Sequence, residues 1–227
     1  MADKPAGRIR VWDLPTRLFH WTLVALVVVL VTTGKIGGEA MKWHFWAGYA
    51  VLTLVIYRIV WGFVGSTTAR FADFVRGPMA GLHHLRETLG KEPSRDVGHN
   101  AVGGWMVVAL LLALLVQVGS GLFASDTDMG LVAGPLSKLA SDPWIDRLTR
   151  LHHFWINLLY LMAALHVLAA LMYLVVKRQN LIAAMIHGTK PWPFRDRPAL
   201  RFAPNRLAFT CLALSACVVY FVIRAGG

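Results

Sequence analysis

Five long apolar runs constrain this chain more than any other feature. They cover residues 18–34, 44–64, about 102–123, 152–176 and 207–223. A helix rises 1.5 Å per residue and the hydrocarbon core of a bilayer is about 30 Å thick, so about 20 apolar residues cross it. Each run comes close to that length. Inside a bilayer the backbone N–H and C=O groups find no water, so such a run must satisfy them internally as a helix. Only 15% of the residues are charged, against about 25% in a soluble domain. That shortfall excludes a disordered chain and argues against an ordinary soluble enzyme. The expected fold is all-α: an integral membrane helical bundle, one membrane domain over residues 1–227.

Charge orients the bundle. The net charge of +11 needs no nucleic acid to explain it, because cytoplasmic loops of membrane proteins are normally basic. Of the 23 Lys and Arg residues, sixteen fall in the N-terminal segment, the loop after the second run and the loop after the fourth. Six fall in the alternate segments, and Arg58 lies inside the second run. The positive-inside rule then places the N-terminus in the cytoplasm and the C-terminus in the periplasm of a bacterial inner membrane. Trp21, Trp43, Trp46, Trp61, Trp105, Trp144 and Trp155 lie in or near the ends of runs, as an interfacial belt requires. The first run has a 17-residue flank and no small-residue cleavage site after it, so it reads as a retained anchor. A surface helix is expected over residues 71–89, a long external loop over 124–151 and an irregular basic connector over 178–206.

The histidines carry the chemistry. An ionisable residue inside a membrane is costly and marks function by default. With the orientation above, His20 lies near the cytoplasmic end of the first span and His44 near the external end of the second. The fourth span carries His152 near its external end and His166 toward the cytoplasm. Each membrane half thus holds two histidines from two helices. The 14 residues from His152 to His166 make nearly four turns, or about 21 Å on one face. Two stacked bis-histidine haem sites need this arrangement, since haem iron takes axial imidazoles and bundles build cofactor sites from facing helices. Cys211 and Cys217 form no C-x-x-C-H attachment site, so the haem would be non-covalent.

Glycines follow the same pattern. Gly34 lies 14 residues after His20, Gly48 one turn after His44, and Gly103 and Gly121 are in phase 18 residues apart on the third span. A porphyrin edge needs a helix surface without side chains, though small residues also serve helix packing. Arg58, 14 residues after His44, either faces a haem propionate or snorkels to the cytoplasmic surface.

The stretches Arg10-Val-Trp-Asp-Leu-Pro-Thr-Arg-Leu-Phe-His-Trp21, Tyr57-Arg-Ile-Val-Trp-Gly62, Gly98-His-Asn-Ala-Val-Gly-Gly104 and His152 to His166 resemble the prokaryotic di-haem cytochrome b family. That family includes the membrane subunits of nickel–iron hydrogenases and the gamma subunit of formate dehydrogenase. The resemblance covers nearly the whole chain. It implies a four-helix core binding two haem b groups, with a fifth transmembrane helix outside it. Its ligands fall on His20, His44, His152 and His166. It also implies electron exchange between the quinone pool and a redox partner, here a periplasmic c-type cytochrome or a dehydrogenase or hydrogenase subunit.

His99 and Asn100 open the third span on the cytoplasmic side. A quinone carbonyl needs a donor and a quinol needs a proton acceptor, which a histidine beside an amide supplies; equally, Asn100 suits a helix N-cap. Two rival functions remain open on the sequence. One is a proton-coupled small transporter with relay histidines. The other is a self-sufficient quinol oxidase of a small acceptor.

Overall fold

The structure is a computed structural model and describes residues 7–77, 96–125 and 132–226. Its elements, in chain order, are β1 (Gly7–Arg10), α1 (Leu14–Ile36), α2 (Met41–Val64), α3 (Phe71–Phe74), α4 (Ala101–Gly121), α5 (Asp142–Val175), α6 (Leu181–His187), β2 (Thr189–Trp192) and α7 (Asn205–Arg224). α1, α2, α4, α5 and α7 are long and apolar enough to cross a membrane. The expected all-α membrane bundle stands.

Three elements differ from the sequence expectation. The helix carrying His152 begins at Asp142, ten residues before the apolar run. Trp144 N and Ile145 N both bond to Ser141 O, and Pro143 occupies the first turn, where its missing N–H costs nothing. Residues 142–151 are therefore helix, not external loop. At 34 residues α5 spans about 51 Å, well beyond the hydrocarbon thickness. Its charged start, with Asp142, Asp146, Arg147 and Arg150, suits the aqueous side. Second, the connector over 178–206 is not irregular throughout. Asn180 accepts from Ala183 N at 2.8 Å and starts α6; Gly188, at φ +80°, ends it; β2 follows. Third, the surface helix expected over 71–89 is helical only at Phe71–Phe74, and Val75 turns extended; residues 78–89 lie outside the described residues.

The chain divides into two compact units, and every membrane helix contributes residues to both. The first unit gathers Met1–Leu18, Val60–Val108 and Ala164–Ala208. Here β1 and β2 pair antiparallel, with Gly7 opposite Trp192 and Arg10 opposite Thr189. Ile9, Val11, Trp12, Ala184 and Trp192 form the small core beneath them. Val11 N and Trp12 N both donate to Gly188 O, at 2.8 and 3.1 Å. Arg17 donates to Ile186 O at 2.7 Å, a cation on the last turn of α6. Asp13 caps α1 by accepting from Thr16 N at 2.6 Å. Lys190 bonds to the backbone carbonyl of Asp96, and burial pushes its ammonium below the usual lysine range, opposed by the Asp96 charge.

The second unit gathers Phe19–Ile59, Ala109–Ala163 and Phe209–Gly227. Val51, Leu52, Val55, Ala113, Leu114, Val118, Leu159 and Val219 form its core. Lipid tails are as apolar as these side chains, so van der Waals packing, not the hydrophobic effect, holds such helices together. Ala47 and Ala113 are buried and small, which allows the helices to approach closely.

Candidate haem site

His44 and His152 come together in the second unit. Their ring centroids are 6.3 Å apart and the rings cross at 79°. His44 arrives on the first turn of α2 and His152 on the third turn of α5. Each Nδ1 meets a backbone carbonyl of a neighbouring helix: Leu30 O at 3.0 Å for His44, and Gln117 O at 2.8 Å for His152. A carbonyl only accepts, so each Nδ1 carries the proton. In the neutral ring the lone pair is then on Nε2, the form a metal takes. Gln117 Nε2 lies 3.3 Å from His152 Nε2, so a donor already reaches that lone pair.

Haem fits these residues. Two metal–imidazole bonds of about 2 Å each, plus the half-widths of the rings, bring the ring centroids to about 6 Å. The observed separation matches, and the surrounding side chains are the apolar core just described.

The remaining sequence-derived residues fall in several places. Gly34 and Gly121 abut imidazoles: a Cβ on Gly34 would lie 3.1 Å from His44 Cε1, and one on Gly121 2.8 Å from His152 Cε1. Gly48 has open space where its Cβ would be. Gly103 is tied into a cap, since Asn100 Oδ1 accepts from Gly103 N at 2.6 Å. The Asn100 amide N–H donates to the Tyr173 hydroxyl, so both ends of that side chain are engaged within the first unit. His99 lies between the rings of Trp12 and Phe74, at 4.8 and 4.7 Å. Arg58 is 3% exposed, which argues against snorkelling. His20 is half-buried with its ring edge-on to Trp21 at 5.0 Å. His166 is exposed and belongs to the first unit. His153 is exposed, 6.1 Å from the His152 ring. His83 and His84 lie outside the described residues.

Sequence spacing missed Thr33, Gln117 and Ser120, which all reach the histidine pair. None is an ionisable residue in an apolar run, so the signal that picked out the histidines passes over them.

Residues 11–188 match the family described as prokaryotic cytochrome b561. A protein of Azotobacter vinelandii named "Probable Ni/Fe-hydrogenase B-type cytochrome subunit" is 29% identical, over 84% of this chain and 91% of its own length. The similarly named hydrogenase 1 protein of Escherichia coli is 25% identical over 81% and 91%, and that of Cupriavidus necator 25% over 82% and 87%. No solved structure matches the chain. With five membrane-length helices and this match over most of its length, the chain belongs to the prokaryotic cytochrome b561 family, multi-pass membrane proteins that carry haem b.

Proposed function

We propose that this protein carries electrons across the bacterial inner membrane between the quinone pool and a periplasmic partner, through two bis-histidine haems. The paired imidazoles of His44 and His152, each with its Nδ1 held by a carbonyl, support this reading most directly. They hold the outer haem. His20 and His166 hold the inner one, on the depth and phase of the sequence. Haem b supplies reversible one-electron transfer; the chain's part is to fix the ligands and exclude water. Arg58 neutralises a propionate, as a buried cation needs an anion. The names of the relatives favour a nickel–iron hydrogenase as the partner. Pyridine haemochrome analysis should give two acid-extractable haems per chain, and a hydrogenase should co-purify in mild detergent. One haem per chain overturns the two-site reading.

The orientation is tested separately. A reporter fused after Gly227 should be active in the periplasm, and one inserted near Lys91 in the cytoplasm. The opposite pattern reverses inner and outer.

Quinone is exchanged at the cytoplasmic start of α4, where His99 stands between two aromatic rings and Asn100 links the cap to Tyr173. His99→Ala should slow quinol-dependent haem reduction about tenfold or more, in the range of a lost acid–base group, with both haems retained. Unchanged reduction kinetics remove the assignment.

A further inference from the structure

The two histidines of the outer site rest on the same short device, built twice. Val29-Leu-Val-Thr-Thr-Gly34 on α1 and Val116-Gln-Val-Gly-Ser-Gly121 on α4 share the pattern Val-x-Val-x-Thr/Ser-Gly. Neither segment contains a histidine. Each receives one from a different helix: His44 from α2 on the first, His152 from α5 on the second.

The contacts correspond position by position. The second residue, Leu30 or Gln117, offers its carbonyl to the imidazole Nδ1–H, at 3.0 or 2.8 Å. The fifth, Thr33 or Ser120, donates its hydroxyl hydrogen to the carbonyl of the first, Val29 or Val116, at 2.7 or 2.8 Å. That leaves the hydroxyl lone pair toward the same Nδ1, at 3.2 or 3.4 Å. The sixth, Gly34 or Gly121, presents bare backbone to the Cε1–Nδ1 edge of the ring, and any Cβ there would come within 3.1 or 2.8 Å of Cε1. The carbonyl that accepts from Nδ1 is four residues before this glycine. In a helix its first lone pair is used by the glycine's own N–H. Its second lone pair is reachable because the glycine has no side chain in the way.

We propose that these two segments are matched sockets that position and tune both axial imidazoles of the outer haem. A carbonyl on Nδ1–H fixes the tautomer and ring plane and raises the basicity of Nε2. A more basic ligand favours ferric over ferrous iron and lowers the reduction potential. Two equal sockets hold both ligands at similar strength and keep the ring planes crossed at 79°. Gly34 and Gly121 therefore act through the histidines. This inference rests on the proposed ligation by His44 and His152, and the test separates the two.

The full-length, haem-loaded protein is studied in detergent by potentiometric titration and ferric electron paramagnetic resonance. The outer haem is identified as the one lost in His152→Ala. Crossed imidazole planes should give a strongly anisotropic low-spin ferric signal. Gly121→Ala, with the closer contact, should displace the ring and raise the outer potential. An effect of about tenfold on the redox equilibrium is expected for a lost outer-shell partner, which is about 59 mV for one electron. Gly34→Ala should act in the same direction and less. Thr33→Val and Ser120→Ala keep the packing and remove only the hydroxyl; each should raise the potential, and Thr33→Ser and Ser120→Thr should restore it. Should the alanine variants at glycine lose haem altogether, the hydroxyl series decides. If His44→Ala and His152→Ala both retain two haems, the ligation reading fails. If the haem needs both histidines yet Thr33→Val and Ser120→Ala leave potential and resonance signal unchanged, the sockets are mere spacers and the inference fails alone.

Discussion

His152→Ala should leave the protein with one haem where it had two, while His153→Ala should keep both. The two residues are neighbours, and helix geometry separates them. An α-helix turns about 100° per residue, so His152 lies about 40° from alignment with His166 and His153 about 140° away. The structure adds contacts to that phase. His152 is half-buried, bonded through Nδ1 to Gln117 O and packed on Gly121, whereas His153 is exposed. α5 also begins ten residues before His152, so the ligand does not sit in a fraying first turn. Removing the imidazole deletes one of two iron bonds and leaves a hole in an apolar bundle. The outer haem should be lost nearly completely; the inner one should keep its reduced spectrum. Haem per chain by pyridine haemochrome, with the reduced spectrum of each variant, decides it. Loss of a haem in His153→Ala but not in His152→Ala would overturn the ligand assignment.

The second large effect lies in the first unit. Gly188→Val should destabilise the chain by about 3 kcal/mol: about 1–2 for a left-handed, non-glycine backbone and about 1 for each disturbed hydrogen bond. Gly188 has φ +80°, and a Cβ there would stand 2.9 Å from Trp12 O. Its carbonyl accepts from both Val11 N and Trp12 N, so it joins the start of α1 to the strand pair. A melting temperature lower by roughly 10 °C in detergent is expected for a chain of this size. Gly188→Asn tolerates the left-handed region better but carries the same Cβ. It should fall between wild type and valine, dividing conformational cost from contact cost. Wild-type melting of Gly188→Val would show that this junction is not needed.

Much of the membrane architecture was legible in the sequence, because bilayer thickness and backbone satisfaction leave a long apolar run one structure. The bounds of α2 and α4 differ from the runs by three residues or fewer at each end. The early start of α5 was written in Ser141-Asp142-Pro143, a local helix-start signal that hydropathy ignores because residues 142–151 are polar. The strand pair was not legible. β1 and β2 are four residues each and 178 positions apart at their closest pairing, Arg10 with Thr189. Nothing local in either segment names its partner.

The histidine set shows the same division. Depth, phase and the cost of ionisable groups in lipid pointed to His44 and His152 before any fold was known. Their spacing could not show that Leu30 and Gln117 carbonyls hold the protons, nor that Gly34 and Gly121 touch imidazoles. Those contacts join helices whose relative rotation is set by side-chain packing across the bundle. A helix repeat fixes which residues share a face; only the packed helices decide what that face meets.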